Sequence, residues 1–356
     1  MFKKIARDLL ILFCAVTLWA STSRTIMEYT SQKRSTDKWW GFYDYLNGNL
    51  VGLSHLDIVK KFNSHPALGV NEHHTLDSAY NTVLYLHGDS YSAYIQDVNF
   101  KCISGFQNIN RYSGGNYTLD RTKRNILIIE IAEMQVRDYF GSLRMIKDVY
   151  EADKRKEITG LPHLPVSTDA RYLSFFPDIN TGLFFNKNIN QNLECNLFNY
   201  NFMMPMFGSK AALNYYFFHR ASGDVVISND WKFLLQKEST IKYRIPITSD
   251  EMTELIENLN KIGNHYKQYG FSEIYLSIIP CTATIAQPEE YNNFIPLIQN
   301  DPRLALKIID IYSVMKNSPE EYLCHGDTHW NINGKQKWVE MINEILAKNQ
   351  TQLKNH

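Results

Sequence analysis

Residues 82–96 read TVLYLHGDSYSAYIQ, an apolar run that stops at Gly88-Asp89-Ser90 and resumes as a helix-compatible segment. This order predicts a strand, a tight turn and a helix, because glycine permits turns and close approaches that other residues resist. Ser90 would then lie at the helix N-terminus, where unpaired N–H groups and the positive helix end can stabilise an oxyanion. Two roles are open for Ser90 on this stretch alone: a catalytic nucleophile, or a cap of the helix.

A second polar block lies near the other end of the chain, where residues 324–334 read CHGDTHWNING. Asp327 and His329 are two positions apart, a spacing at which a carboxylate can bond the imidazole Nδ1 and leave Nε2 facing a nucleophile. With Ser90 they form a candidate Ser-His-Asp triad. An amphipathic helix is predicted after the block, and its apolar face consists of Trp338, Ile342, Ile345 and Leu346.

The two blocks resemble those of the SGNH, or GDSL, hydrolase superfamily, in which Gly-Asp-Ser ends the first strand and Asp-x-His or Asp-x-x-His lies near the end of the domain. The longer run DTHWN at residues 327–331, followed by Gly334, is similar to the alginate O-acetyltransferase group within it. The resemblance covers residues 81–140 and 250–347. Lesser echoes of the group are Glu130, Glu133, Pro280 and Thr284-Ile285.

The resemblance implies two-step acyl transfer on a three-layer α/β/α sandwich with a mostly parallel sheet. His329 would take the proton of Ser90, the serine would attack an acetyl donor, and Asp327 would stabilise the imidazolium. A hydroxyl of an extracytoplasmic carbohydrate would then accept the acyl group, or water would accept it in an esterase. No cofactor or metal is implied, and a membrane-embedded protein is the implied acyl-donor partner.

The sequence departs from the family pattern at three points. The Asp-x-His block precedes Gly-Asp-Ser in the alginate enzymes, whereas the serine comes first here, as in ordinary GDSL hydrolases. Met134 stands where that group has an arginine, and no Gly-x-Asn-Asp block supplies the usual asparagine donor to the oxyanion hole. The remaining candidates for that donor are the N–H of Ser90, Gly105, Asn108 and Asn110.

Unbroken apolar runs predict the strands of a parallel sheet covered on both faces. Three runs have this character: residues 125–132, 273–280 and 304–312. A helix pattern at 250–268 separates the first two, and this alternation predicts a three-layer α/β sandwich with ligands beyond the carboxyl ends of the strands. Residues 97–103 are predicted as a further strand, and residues 105–117, rich in Asn and Gly, as a loop.

The N-terminal residues 1–26 have the architecture of an export signal, with Lys3, Lys4 and Arg7 before the apolar run 9–20. The segment is either cleaved as a signal peptide or retained as a signal anchor, and the rest of the chain would then be exported to the periplasm or another extracytoplasmic space. A buried core helix is the alternative, which the preceding cations disfavour. The predicted divisions after it are a stalk and extension (27–80), the first half of the core (81–150), an insertion forming a lid or acceptor-binding region (151–249), the second half of the core (250–347) and a tail (348–356).

Composition excludes some partners. Lys plus Arg and Asp plus Glu number 37 each, and no basic block stands out, so nucleic acid is not an expected partner. Four cysteines beyond the signal allow three full disulfide pairings, and none forms a Cys-x-x-Cys motif. They are Cys102, Cys195, Cys281 and Cys324.

Two other interpretations use the same residues. A metal could be bound by alternating ligands on one strand face, with metal-assisted hydrolysis in place of the serine. Its ligands would be His325, Asp327, His329, His87 and Asp89. Alternatively, the chain is a catalytically silent protein that binds envelope polysaccharide. Trp330 is a candidate stacking surface for a sugar, although packing against the C-terminal helix is the commoner role for such a residue.

Overall fold

The structure is a computed structural model that describes residues 2–23, 26, 74–92, 95–110, 115–143, 145–146, 149–151, 189–198, 200–221, 225–326 and 328–354. The chain divides into two compact units, one of residues 1–60 and 163–227, the other of residues 61–162 and 228–356. Ser90 and His329 both belong to the second unit.

A five-stranded sheet lies in the second unit. The strands of the described residues, in chain order, are β1 (Thr82–Gly88), β2 (Gly105–Asn110), β3 (Gly115–Tyr117), β4 (Arg124–Ala132), β5 (Val149–Glu151), β6 (Val225–Ile227), β7 (Leu234–Gln236), β8 (Phe271–Ile279) and β9 (Lys307–Ile308). The sheet order is β2-β1-β4-β8-β9, and each neighbouring pair is parallel. The fold is therefore α/β with a parallel central sheet, and this part of the sequence prediction is confirmed.

The central strands are apolar because both of their faces are covered. Every residue of β1 is buried, and so is every residue of β4 after Arg124. The predicted strand at 125–132 is thus confirmed as β4, and the one at 273–280 as β8. The third run, 304–312, forms only the two-residue strand β9, and a helix begins at Ile311.

The helices of the described residues, in chain order, are α1 (Phe2–Thr22), α2 (Glu133–Gly141), α3 (Ile189–Phe198), α4 (Met204–Phe218), α5 (Lys237–Lys242), α6 (Ser249–Gln268), α7 (Thr282–Ala286), α8 (Phe294–Gln299), α9 (Ile311–Asn317), α10 (Pro319–Tyr322) and α11 (Ile332–Lys354). Helix α6 confirms the predicted helix at 250–268, and Thr248 caps it by accepting the N–H of Glu251 at 3.2 Å.

Helix α11 buries the predicted apolar face. Trp338, Ile342 and Leu346 are at most 2% exposed, and Ile345 is half-buried. The Trp338 indole N–H donates to Ser277 Oγ at 2.8 Å, which fixes α11 against β8. The helix continues to Lys354, through residues predicted as a tail.

The prediction for residues 97–117 is wrong. Residues 97–103 contain a short 3₁₀ turn, Asp97–Asn99, and β2 lies within the segment expected to be a loop. The side chain of Asn343 on α11 explains this, because it accepts the N–H of Lys101 at 2.8 Å and donates to the Asn99 carbonyl at 3.0 Å. Backbone groups that a strand would use are bonded to a helix side chain instead.

No α-helix follows Ser90 directly in the described residues, so the predicted strand-turn-helix order is also wrong. Residues 91, 92, 95 and 96 are irregular. The Asp89 carboxylate accepts the N–H of Tyr91 at 2.9 Å, and Asn99 Oδ1 accepts the N–H of Gln96 at 2.8 Å. Such local side-chain bonds compete with helix formation, and the expected contribution of a helix dipole at Ser90 disappears.

The N-terminal helix α1 contains an apolar segment of 20 residues, Lys3–Thr22. Its mean hydropathy is 1.6, and 6% of it is buried. Leu9 to Phe13 are each 57–62% exposed, so α1 is not a buried core helix in this structure. Its length and composition fit a membrane span or a signal sequence alike. Its end is held within its own unit, where Asn192 of α3 donates to the Ser21 carbonyl at 2.9 Å.

The predicted stalk lies outside the described residues except for 74–80, and so does much of the predicted insertion, including 152–188. No disulfide joins the described cysteines Cys14, Cys102, Cys281 and Cys324 to one another.

Candidate active site

Ser90 lies on a turn at the carboxyl end of β1 and is exposed, whereas the residues on both sides of it are buried. The buried Asp89 fixes this turn. Its N–H donates to Glu130 Oε2 at 3.1 Å, and its Oδ2 accepts the N–H of Ala132 at 3.4 Å. Since Glu130 and Ala132 both belong to β4, Asp89 ties the turn to the neighbouring strand and leaves Ser90 facing solvent.

Glycine is required at position 88 because two other side chains lie very close to its Cα. A Cβ at this position would lie 1.8 Å from Ser92 Oγ and 2.7 Å from Glu130 Oε2, well inside contact distance. Only glycine therefore lets the turn sit against the Glu130 carboxylate that holds it.

His329 meets Ser90 across 239 positions of sequence, with Nε2 at 2.8 Å from the serine Oγ. The imidazole ring lies against the ring of Tyr91, with centroids 4.5 Å apart. The structure thus brings together the predicted serine and histidine at hydrogen-bond distance. Asp327 lies outside the described residues.

Tyr91 and Trp330 hold the two segments together. The Trp330 indole N–H donates to the Tyr91 carbonyl at 3.0 Å, and the Tyr91 hydroxyl donates to the Thr328 carbonyl at 2.6 Å. Thr282, after β8, donates its hydroxyl to the same carbonyl at 3.3 Å. The residues on either side of His329 are therefore fixed by bonds to the residue that follows Ser90.

Trp330 is 0% exposed and packs against Trp338 with ring centroids 5.6 Å apart. This is the packing against the C-terminal helix that the sequence favours. The other candidate role, a sugar-stacking surface, is wrong, because no face of the ring is open to a ligand. Its position explains the pattern of the block: the buried Trp330 fixes the backbone next to His329 through its bond to the Tyr91 carbonyl.

Asn331 and Gly334 have structural roles as well. Asn331 Oδ1 accepts the N–H groups of Asn333 and Gly334 at 2.9 and 3.0 Å, which makes Asn331 the N-cap of α11. A Cβ at Gly334 would lie 2.5 Å from the Tyr322 carbonyl oxygen. The block therefore begins a helix immediately after presenting its histidine.

The structure separates the predicted oxyanion donors. Gly105 pairs with Val83, five residues before Gly88, so it lies about 16 Å from the site at 3.3 Å per strand residue. That prediction is wrong, because the parallel register puts Gly105 at the amino end of the sheet. The exposed Asn108 donates to the Ile95 carbonyl at 3.4 Å. Asn110 pairs with Gly88 at the carboxyl end of the sheet, and only its backbone is described.

Glu130 is a further residue of the site. In the sequence it is only a minor similarity to the motifs of the resembled group, with no role predicted for it. It is 0% exposed inside an otherwise apolar strand, and a fully buried acid is rare unless it has a partner. That rarity is the signal that could have identified it. Lys335 on α11 is 1% exposed and interacts electrostatically with Glu130. Burial lowers the pKa of Lys335 to about 8, and the interactions with Cys324 and Glu130 oppose this shift.

The histidines proposed as metal ligands contact different groups. His87 Nε2 lies 3.1 Å from the Tyr139 hydroxyl, and His325 Nδ1 lies 2.6 Å from the Lys232 carbonyl oxygen. His329 Nε2 faces Ser90. No group of three His, Cys, Asp or Glu side chains within the described residues could hold a metal ion.

Comparison of the chain with protein-family models, with curated proteins and with solved structures finds no match.

Proposed function

We propose that this chain is a serine-dependent acyltransferase of the SGNH type that transfers acetyl groups to hydroxyls of an extracytoplasmic carbohydrate. The observation that carries the proposal is the 2.8 Å distance between His329 Nε2 and Ser90 Oγ. A serine is a weak nucleophile until a neighbouring base removes its proton, and this geometry supplies the base. The exposure of Ser90 gives an acyl donor access to Oγ.

In the first half-reaction, Ser90 Oγ attacks the acyl carbonyl while its proton passes to His329 Nε2. The imidazolium then protonates the leaving group, and the acyl group stays on Ser90 as an ester. In the second half, His329 removes the proton of an acceptor hydroxyl, which attacks that ester and releases the serine. The resemblance to the SGNH superfamily assigns Asp327 to the orientation of His329.

The oxyanion would be stabilised at the serine turn itself. The N–H groups of Asp89 and Tyr91 already donate to the carboxylates of Glu130 and Asp89. The N–H of Ser90 is therefore the donor that the proposal assigns to the developing negative charge. Asn110, level with Gly88 at the same edge of the sheet, is the second candidate.

The proposal extends to the fold and the location. The parallel sheet, with Ser90 beyond the carboxyl end of β1, is the arrangement that α/β folds use to bind ligands, and it supports an SGNH-like three-layer sandwich. Helix α1 would direct the chain out of the cytoplasm. A membrane-embedded partner would supply the acyl groups.

Hydrolysis by water is the second candidate function. Ser90 is exposed on its turn, so water reaches the same ester as a sugar would, and the serine-first order is that of ordinary GDSL hydrolases. An esterase and a transferase would share every step up to the acyl-serine.

The experiment is hydrolysis of 4-nitrophenyl acetate by the wild-type chain and by Ser90→Ala. We expect the substitution to lower kcat by at least about 10³-fold, because the nucleophile and its covalent intermediate are lost. A chelator should leave the wild-type rate unchanged, whereas a metal-dependent hydrolase would lose activity. Equal rates for the two proteins would remove Ser90 as the nucleophile, and no hydrolysis above background by either would leave a silent binding protein.

A further inference from the structure

A cavity of about 220 Å³ lies beyond the carboxyl ends of β4 and β8. Its walls include Glu133, Met134, Lys242, Tyr243, Cys281 and Phe294. It is next to the serine turn along the sheet, because Asp89 Oδ2 accepts the N–H of Ala132, the residue before Glu133. None of the groups that hold Ser90 and His329 lines it.

Glu133 gives this cavity an unusual wall. The residue is 5% exposed, and its Oε2 accepts the N–H of Cys281 at 3.0 Å and the hydroxyl of Thr284 at 2.5 Å. Its Oε1 is buried without a partner at hydrogen-bond distance among the residues that the structure describes. A buried polar atom left in this way is destabilising, so the Glu133 carboxyl indicates a polar ligand.

The protonation of Glu133 agrees with that role. Burial raises the pKa of this carboxyl, and the hydrogen bonds from Thr284 and the Cys281 N–H, the nearby Tyr291 and the charge of Arg137 partly offset the shift. A carboxyl held towards its neutral form can donate a hydrogen bond as well as accept one. It can therefore accept a hydrogen bond from a hydroxyl group or donate one to it.

The cations at the cavity are already matched by carboxylates. Arg137 pairs with Glu251 at 3.1 Å, and Lys242 pairs with Asp138 at 3.5 Å. An anionic ligand would have to compete with these pairs, so the cavity favours an uncharged ligand. Aromatic and aliphatic walls beside polar groups suit a ring that has both C–H faces and hydroxyls.

The volume limits the size of the ligand. Drug-sized ligands fill pockets of roughly 300–1,000 Å³. The 220 Å³ cavity is smaller than these, so its ligand is smaller than a drug-sized molecule, and a single six-membered ring with its substituents is of that kind.

We propose that this cavity binds one uncharged, hydroxyl-bearing ring of the size of a single sugar residue, with the Glu133 carboxyl bonded to one of its hydroxyls. The assignment rests on the proposed function only in making that ring part of the acyl acceptor. Binding itself does not depend on Ser90.

The test uses the full chain with Ser90→Ala and measures binding of methyl glycosides by saturation-transfer NMR. The uncharged probes are the methyl glycosides of glucose, galactose, mannose and N-acetylglucosamine. Ile245, 45% exposed, contacts the cavity at its rim, and Ile245→Trp should block it. The matched control is Ile241→Trp, a 55% exposed isoleucine that does not line the cavity.

We expect at least one glycoside to bind the parent and the Ile241→Trp control with millimolar affinity, and at least tenfold weaker binding to Ile245→Trp. Thermal unfolding will show whether each variant folds, and Met134→Trp narrows the same cavity if Ile245→Trp does not. Absence of binding by every probe would overturn the proposal. So would undiminished binding after the cavity is blocked.

Two further results separate this inference from the proposed function. Glycoside binding without Ser90-dependent aryl-acetate hydrolysis would sink the acyltransferase and leave the cavity site standing. Hydrolysis without glycoside binding would do the reverse. Methyl glucuronide should bind no more tightly than methyl glucoside, and tighter binding would contradict an uncharged ligand.

Discussion

At the scale of single residues, the Gly-Asp-Ser motif divides its work between packing and chemistry. Gly88 allows the close approach to Glu130, and Asp89 ties the turn to β4. Only Ser90 is presented to solvent, with His329 beside it. Two of the three motif residues therefore serve to fix the position of the Ser90 hydroxyl.

This division predicts opposite effects of one substitution at two glycines. Gly88→Ala places a methyl group on Ser92 Oγ and Glu130 Oε2, and we expect it to lower the free energy of unfolding by about 1–3 kcal/mol, as overpacking does. Gly141→Ala, in the last turn of α2, meets nothing within 4 Å and should raise it by up to about 1 kcal/mol. Urea unfolding of both variants measures the difference.

The two alanine variants check each other. Aryl-acetate hydrolysis should fall with Gly88→Ala and stay at the wild-type rate with Gly141→Ala, because only the first moves the serine turn. Equal stability and equal rates would show that the close contacts at Gly88 do not hold Ser90.

The sequence alone predicts which residues meet at the site better than it predicts their surroundings. Ser90 and His329 could be paired because each stands in a short block whose spacing fits one chemistry. The packing of Trp330 against the C-terminal helix is the commoner role that the sequence favours, whereas Gly105 could not be placed, because strand register is set by distant parts of the chain. Glu130 was recognisable in principle as an acid inside an apolar strand.

At the scale of elements, the segment that carries His329 is anchored at both ends. Trp330 and Asn331 fix its far end, and His325 fixes its near end. The His325 ring stacks on Phe233 with centroids 4.5 Å apart, and its carbonyl accepts the N–H of Leu234 at 2.7 Å. The three anchors leave the His329 imidazole between them.

The buried state of His325 predicts a pH dependence of stability. Burial lowers the pKa of this imidazole below its ordinary value of 6.5, although the Lys232 carbonyl and the charges of Glu320 and Asp230 oppose the shift. The unfolded chain therefore binds more protons than the folded one below about pH 6.5, and stability falls as the pH drops from there towards the folded pKa. Above that window His325 is neutral in both states and contributes no pH dependence.

Urea unfolding at pH 7.5 and pH 5 tests this with His325→Asn, whose amide can donate to Lys232 O as Nδ1 does. We expect the variant to lose less stability on acidification than the wild type. The same loss in both proteins would show that His325 does not contribute to the acid sensitivity.

Elements with one strong signal were predictable, and elements decided by tertiary contacts were not. Strands β4 and β8 follow from apolar runs, and helix α6 follows from a helical period of apolar residues. In each element the residues that form the pattern are the buried ones. Residues 97–103 carry a strand-like pattern, but Asn343 of α11, more than two hundred positions away, bonds their backbone. No local pattern contains that information.

At the scale of the whole molecule, an acyltransferase of envelope carbohydrate needs to reach an extracytoplasmic substrate, and helix α1 would be the means. Its apolar segment fits both a retained anchor and a signal sequence. The hydrogen bonds from Asn192 and Asn196 to Ser21 give the end of this helix a place in a folded unit, which favours retention.

Retention predicts that α1 holds the chain in the membrane. Leu10→Lys with Ile11→Lys puts two charges at the centre of the helix, at about 2.5–3.5 kcal/mol each, and should release the chain from the carbonate-resistant membrane fraction. Ile5→Lys, near the existing Lys3 and Lys4, should leave it there because its charge can reach the interface. A mature chain that begins after residue 20 would contradict the anchor and leave export intact.

The central claim is that Ser90 becomes covalently acylated with His329 as its base. The most direct measurement is mass spectrometry of the peptide containing Ser90, after brief exposure of the full chain to 4-nitrophenyl acetate and an acid quench. We predict one acetyl group on Ser90 in the wild type and none on that peptide in His329→Ala. An unmodified Ser90 peptide from a protein that is turning over substrate, or acetyl found on another residue, would contradict the account.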